Sequence, residues 1–394
     1  MNSYFASVEQ QANPHYRGRP LGVCATLTPH GCIIASSKEA KKVGIKTGCR
    51  VDEARTLYPS VILVEVDPPK YRSCTERIVA ICRDYTDSIE LYSIDEAFLD
   101  LSGYVSDFGE AARIGKIIQT RIKEEVGEWL LCSMGIAPTR WLAKFASDTA
   151  DKGSVLILDK ESLRRHIKGR DVQEAWGIAE ATAARLGALG ITTLDQLAQY
   201  PVMNLMRAFG VHGYYLWANI NGVELSGLEK RTLPKSVGHS HVLRKRTRDI
   251  NFHKAIVMRL CERTGRRLRD LGLEAHGFYA HASLEKFGSI GGSKRVYEPI
   301  TTTRAIYHYT WNMVRNGVER DQATFYALGL FRLRPQSNQL SLFNKPKPER
   351  LIKALDVINN KYGEEIIAQG ELAKLDKYHA PDRIGFRKTV GLDI

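Results

Sequence analysis

The chain opens Met1-Asn2-Ser3 and runs directly into Tyr4-Phe5-Ala6-Ser7-Val8-Glu9, which reads as the end of a strand entering a helix. Short apolar runs at 20–25 and 32–35 predict strands, and the basic stretch 38–43, closed by Gly44, predicts a helix. Residues 61–66 read as another strand, and apolar positions at helical spacing predict a helix over 71–86. Between Ile89 and Leu101, strand-like residues flank the polar interruption Ser93-Ile94-Asp95-Glu96-Ala97, the pattern of a hairpin with carboxylates near its tip. A helix over 109–126, a strand over 130–136 and a helix over 140–149 complete a mixed sheet covered by helices.

From 163 to 228 the pattern changes to short helices punctuated by glycine, a separate small helical domain. A polar stretch with Pro234, 229–235, reads as a linker. Beyond it come a strand over 236–244, a helix over 252–271, strands over 277–284 and 294–297, a helix over 302–315 and a strand over 323–333. That order is a split βαβ arrangement. The fold class expected is therefore α+β and multi-domain, and 394 residues are enough for two or three cores.

Charge changes this picture. Lys and Arg outnumber Asp and Glu by 57 to 44, a net charge of +13, which favours a polyanionic partner. Between Glu229 and Ile300 there are 16 basic and 7 acidic residues, so 9 of the 13 excess charges fall in one stretch. The seven cysteines are odd in number and never form a C-x-x-C pair, as expected of thiols in a reducing cytosol. No apolar run approaches the roughly 20 residues that cross a bilayer, so no membrane partner is expected, and the start lacks the pattern of a signal peptide. A cytoplasmic location follows.

Asp95 and Glu96 are the most informative pair. Phosphoryl transfer to a nucleotide uses two divalent ions about 3.5 to 4 Å apart, and Mg²⁺ takes carboxylate oxygens. Adjacent residues on a flat strand point to opposite faces, so both serve one site only where the backbone turns. An Asp-Glu dipeptide at a turn is otherwise an ordinary solvated pair.

The wider motif decides between these readings. Tyr92-Ser93-Ile94-Asp95-Glu96-Ala97-Phe98-Leu99-Asp100 resembles the most specific motif of Y-family DNA polymerases, low-fidelity enzymes that copy past damaged bases. Tyr4 to Glu9 resembles the family's opening block, Cys32 to Gly48 its fingers segment, and Gly135 to Lys144 its palm helix. Trp176-Gly177-Ile178 through Gly190-Ile191 resembles the thumb's helix-hairpin-helix, and Lys235 to Gly238 the start of the little finger. The bacterial polymerase IV and UmuC-like polymerase V branches both remain open.

The resemblance implies a right-hand architecture: a palm over 1–10 and 64–155 with its first strand truncated, fingers over 11–63, and a thumb over 156–228. The linker 229–235, a βαββαβ little finger over 236–335 and a tail over 336–394 follow. It implies error-prone, template-directed translesion synthesis in DNA repair and the SOS response. The metal ligands would be Asp95 and Glu96, holding two Mg²⁺ ions. Phe5 falls at the steric gate under the incoming sugar, with Tyr4 beside it. Lys41 matches the basic fingers position and Lys152 the palm lysine, both meeting the triphosphate of a dNTP; the spacing around Lys152 is one residue off. A third carboxylate, an Asp, stands in the family just before the position of Met1, and the expectation is a start further upstream.

For primer-template DNA, Gly177, Ile178 and Gly190 would present backbone N–H groups to phosphate. The basic run Lys235, Arg244, Lys245, Arg246 and Arg248 would track a duplex backbone, the competing reading being a charged edge strand. Gln339-Leu340-Ser341-Leu342-Phe343 resembles the peptide that binds the bacterial sliding clamp, through Gln339, Leu340, Leu342 and Phe343. Accessory SOS subunits are further candidate partners. Two rivals stand beside this reading: a non-catalytic, clamp-associated DNA-binding protein derived from such a polymerase, and a helix-hairpin-helix nuclease or glycosylase. No Walker motif, H-E-x-x-H or cysteine cluster occurs.

Overall fold

A computed structural model describes residues 1–225, 227–228, 233–243, 246–336, 347–363 and 366–374. The chain divides into two units, one formed chiefly by Met1–Arg231 and the other within Thr232–Asp382.

In the first unit, helix α1 (Tyr4–Ala12) follows Ser3, whose left-handed backbone (φ 50°) turns the chain into the helix. Strands β1 (Leu21–Cys24) and β2 (Ile33–Ser36) are buried at every position, which explains their unbroken apolar runs. β1 lies between β2, antiparallel, and β3 (Ile62–Glu65), parallel. Helices α2 (Lys38–Lys42) and α3 (Val51–Leu57) bury Ala40, Val51 and Ala54 against Cys24 and Ile33. Helix α4 (Pro68–Arg83) begins at Asp67, whose side chain accepts from the Lys70 N–H, with proline in the first turn.

Strands β4 (Ile89–Ser93) and β5 (Glu96–Leu99) form the expected hairpin. Helix α5 (Phe108–Arg121) widens into a π-helical turn over Ile122–Val126 that ends at Gly127. Strand β6 (Met134–Ile136), helix α6 (Arg140–Thr149) and β7 (Val155–Ile157) make one parallel βαβ unit.

The expected mixed sheet is thus divided into separate pieces, and the strand expected over 130–136 shortens to three residues. The Asn2 N–H donates to the Leu131 carbonyl (2.9 Å) and the Met1 amino group to the Asp95 carbonyl (2.8 Å), while among the described residues no strand pairing joins the hairpin to β6. Strand β7 went unread because its three residues carry too little alternation.

Helices α7 (Lys160–Ile167), α8 (Glu180–Gly187), α9 (Leu194–Gln199), α10 (Val202–Phe209) and α11 (Val211–Ile220) build the helical region. Its core takes in Leu142, Phe145 and Ala146 of α6, so α6 belongs to two layers at once. On its other side α6 lies against Gly135 so closely that a Cβ there would sit 2.0 Å from the Ala143 carbonyl oxygen and 2.4 Å from the Ser147 nitrogen.

The second unit is a four-stranded antiparallel sheet, β8 (Ser236–Val242), β9 (Leu273–Leu284), β10 (Ser289–Ile300) and β11 (Ala323–Pro335), in the order β10-β9-β11-β8. Helices α12 (Ile250–Asp270) and α13 (Thr303–Arg320) complete a βαββαβ unit. Their buried residues, among them Ile256, Leu260 and Val314, meet Phe278, Ala280 and Leu328 of the sheet. The stretch expected as a tail from 336 contains a helix, α14 (Lys347–Tyr362), docked on α12. Arg269 holds Asp356 through Nε and Nη2 at 2.6 and 2.8 Å, and Arg266 bonds Asn360.

Gly135→Ala is expected to lower stability by about 1 to 3 kcal/mol through overpacking of α6. Chemical denaturation measures it; an unchanged midpoint would show that the helix can shift at no cost.

Candidate active site

The hairpin tip is a two-residue loop. Ser93 pairs with Glu96, leaving Ile94 and Asp95 at the turn, and the ladder is irregular between Leu91 and Ser93. Ile94 is buried and its carbonyl accepts from Thr75 Oγ1 (2.6 Å). Asp95 is only partly buried. Ser93 Oγ donates to Asp95 Oδ1 (2.6 Å), and the Asp95 N–H returns to Ser93 Oγ at 3.3 Å.

Glu96 is fixed from α6: Lys144 Nζ lies 2.8 Å from Glu96 Oε1 and also bonds Asp148. The Lys144 side chain is only 11% exposed. Burial alone would lower its pKa, but the bonds and charges of Asp148 and Glu96 outweigh it and hold the pKa above the ordinary lysine value. It stays an ammonium at neutral pH. One turn earlier, Arg140 is clamped to the buried Glu90 of β4, with Nε 2.7 Å from Oε2, and its guanidinium lies 4.3 Å from the centre of the Phe98 ring.

Tyr4 and Phe5 approach the same hairpin from α1. The Tyr4 hydroxyl bonds Thr75 Oγ1 (2.7 Å), the residue that holds Ile94, and donates to the Tyr71 carbonyl (3.0 Å). Burial drives its pKa far up, with Cys74 and Asp95 adding to the effect. Phe5 stacks on Tyr71 with ring centres 4.5 Å apart. Tyr71 is fully buried and its hydroxyl donates to Glu9 Oε1 (2.8 Å), which Lys70 also holds.

Lys41 Nζ donates to Ser3 Oγ (2.8 Å), beside the same end of α1. Partial burial of the ammonium and the nearby charge of Lys152 lower its pKa. Two lysines expected to meet one polyanion thus stand close enough to repel each other.

The remaining predicted residues lie elsewhere. Gly177 (φ 94°) and Gly190 (φ 77°) occupy left-handed turns with open space around them, and Ile178 is buried beneath the first. In the second unit, Lys235, Arg246 and Arg248 are exposed, β8 ends at Val242, and Arg246 makes only a loose 3.8 Å contact with Glu285. Arg244, Lys245 and the segment Gln339, Leu340, Leu342 and Phe343 lie outside the described residues.

Sequence reasoning missed Arg140, Lys144 and Asp148 as parts of the site. Their four-residue spacing along α6, which puts them on one helix face, was the available signal.

Hard oxygen donors on neighbouring residues suit Mg²⁺, which commonly binds through one or two carboxylates together with water and substrate phosphates. Each carboxylate has one oxygen oriented by a protein donor, Oδ1 of Asp95 by Ser93 and Oε1 of Glu96 by Lys144. Among the described residues no hydrogen bond reaches the second oxygens, and no group of three or more His, Cys, Asp or Glu gathers at one point. The pair therefore fits a cation whose remaining ligands come from elsewhere. No helix among the described residues is long and apolar enough to cross a membrane.

The impB/mucB/samB family model matches residues 1–148, and the model of that family's C-terminal domain matches 234–342. A DNA polymerase IV from Moorella thermoacetica is 33% identical over 373 residues, covering 93% of each chain. A DNA polymerase IV 2 from Bacillus subtilis is 28% identical over 379 residues, covering 93% of this chain and 92% of its own. Among solved structures, a Y-family DNA polymerase chimera of Dbh and Dpo4 has a TM-score of 0.72 at 24% identity, covering 85% of this chain and 98% of its own. The rival readings, a non-catalytic binder or a nuclease, have no counterpart in these relatives. With its hairpin carboxylates, its α1 aromatics and a βαββαβ second unit in the family's order, this chain belongs to the Y family of translesion DNA polymerases.

Proposed function

We propose that this protein adds dNMP to the 3′ end of a primer on template DNA, releasing pyrophosphate, and that Asp95 and Glu96 hold the Mg²⁺ ions of that reaction. What supports the reading is the convergence of the hairpin and Lys41 on the start of α1: the Asp95 carbonyl accepts from the Met1 amino group, Ile94 is tied through Thr75 to Tyr4, and Lys41 donates to Ser3 Oγ. Bound Mg²⁺ would supply charge neutralisation at the phosphates and lower the pKa of the primer hydroxyl. The chain's own residues do the rest.

Phe5, stacked on Tyr71 and next to Tyr4, offers an apolar surface that would pack under a deoxyribose and exclude a 2′-hydroxyl. Lys41 and Lys152 would receive the triphosphate, whose charge relieves their mutual repulsion. Phosphates of the primer-template would meet the backbone N–H groups of the Gly177 and Gly190 turns, where the first turn of α8 carries no side-chain cap. Lys235, Arg246 and Arg248 would add contacts that do not depend on sequence. The clamp peptide at Gln339 to Phe343 and any accessory subunit belong to the same proposal. A carboxylate placed before Met1 would stand beside Asp95, because the Met1 amino group already bonds the Asp95 carbonyl.

Primer extension in Mg²⁺ by this 394-residue chain and by the same chain extended with one N-terminal Asp tests the reading. Extension is expected in the longer form, and Glu96→Gln should reduce its rate at least about a hundredfold, some 2.7 kcal/mol of barrier. DNA binding without extension in either form would favour the non-catalytic reading.

Phe5→Ala should raise the use of ribonucleotides relative to deoxyribonucleotides by about tenfold or more, read as a ratio of kcat/KM values. An unchanged ratio would remove Phe5 from sugar selection.

Lys41 offers a pH test. Its folded pKa lies below the unfolded value near 10.4, so its charge costs stability at neutral pH; the cost begins to fall as pH rises past the folded pKa and is gone above the unfolded one. The side chain is exposed overall, so solvent screens much of this. Lys41→Met should therefore leave the melting temperature unchanged or slightly raised while weakening dNTP binding about tenfold. A clear drop in melting temperature would contradict the assigned sign.

A further inference from the structure

We propose that Trp176 is a positioning residue: seated between the Gly177 turn and the carboxylate hairpin, its ring ties occupancy of the turn by a nucleic-acid phosphate to the setting of Asp95 and Glu96. The inference rests on the reading of that turn as a phosphate contact.

Trp176 immediately precedes Gly177, and its ring meets Tyr92 edge-on with centres 5.5 Å apart. Tyr92 lies at the irregularity of β4, between Leu91 and Ser93, and Ser93 is the donor that orients Asp95. Arg140 lies near all three aromatic rings, 4.3 Å from Phe98, 5.5 Å from Tyr92 and 5.7 Å from Trp176, while its guanidinium is clamped to Glu90.

The backbone makes a second connection. Trp141 Nε1 donates to the Trp176 carbonyl at 3.1 Å. Arg140, Trp141 and Lys144 lie on one side of α6, so a single helix binds the base of the hairpin, its tip and the residue before the turn. Leu142, Phe145 and Ala146 bury that helix in the core of α7 to α11. A shift of the Gly177 turn must therefore load α6 and Tyr92 together.

The ring also has room to respond. A groove of about 520 Å³ opens alongside Trp141, Trp176 and Gly177, so part of the ring's surroundings is not close-packed. Interactions at packed contacts shift between discrete arrangements, and here both the turn and the hairpin would bias the same one. By linkage the coupling is reciprocal: a cation on the carboxylates must change DNA affinity through Trp176 by the same factor by which DNA changes cation affinity.

The test uses the full chain and needs no catalysis. Affinity for a primer-template duplex is measured with Ca²⁺ and with EDTA at matched ionic strength, for the wild type, Trp176→Leu and Trp176→Phe. Melting temperatures check folding, and Tyr92→Leu replaces Trp176→Leu should the latter fail to fold. The ratio of the two DNA Kd values in Trp176→Leu is expected to differ at least about fivefold from the wild-type ratio. Trp176→Phe, which keeps a ring, should retain the wild-type ratio.

Tryptophan fluorescence, taken as wild type minus Trp176→Phe, should change when DNA is added in EDTA. A fluorescence change with equal Kd ratios in wild type and Trp176→Leu overturns the coupling while sparing the turn's role. Absence of a fluorescence change overturns the turn's role as a phosphate contact, and the proposal falls with it.

Discussion

The carboxylate hairpin cannot hold itself. Two strands of four and five residues, with an irregular ladder, are at best marginal in water. The position of Asp95 and Glu96 therefore depends on what grips the hairpin from outside, and the decisive grip is the face of α6. Arg140 binds Glu90 at the base and Lys144 binds Glu96 at the tip. Thr75 from α4 and the Met1 amino group each add one bond at the turn itself. Because α6 is in turn set by its contact with Gly135 and by the core of α7 to α11, the geometry of two carboxylates is inherited from packing well removed from them.

The two ion pairs from α6 differ in kind. Arg140 and Glu90 are both largely withdrawn from water, where the Coulomb gain is offset by desolvation and only good geometry makes the pair worthwhile. The fork of the guanidinium supplies that geometry and the aromatic rings of Phe98 and Tyr92 complete its surroundings. This pair is structural. Lys144 is a point charge shared between Glu96 and Asp148, both of which remain partly exposed. It orients Glu96 through one oxygen and leaves the other open, as a ligand to a cation requires.

Much of this was legible in the residue pattern, and the failures have identifiable causes. Helix α6 lies over 140–149 as its spacing predicts, because it is amphipathic and capped at Thr139. The hairpin was readable because Ser93 to Ala97 interrupts an otherwise apolar stretch. Strand β7, three residues long, falls below what alternation can signal, and β6 was read four residues too long for the same reason. Helix α14 escaped notice because it follows a Pro- and Lys-rich stretch and is anchored by single contacts, Arg269 with Asp356 and Arg266 with Asn360. Above all, sequence could propose Asp95 and Glu96 as ligands but not that Lys144 would be the partner of Glu96. Contacts between residues 48 positions apart are set by how α6 docks, which no local pattern encodes.

The same limit governs the basic stretch in the second unit. Counting charges between 229 and 300 treats every arginine as available to a polyanion, yet Arg259 is buried, and Arg266 and Arg269 are engaged by α14. Among the described residues of this stretch outside α12, Lys286, Lys294 and Arg295 are exposed. Lys235, Arg246 and Arg248 are likewise exposed, and weakly paired at most. The exposed positive charge of this unit is therefore smaller than a count along the sequence suggests, and it lies at both edges of the sheet, beside β8 and on or beside β10. In the first unit short strands depend on ion pairs, and Arg140 and Lys144 are spent within the fold.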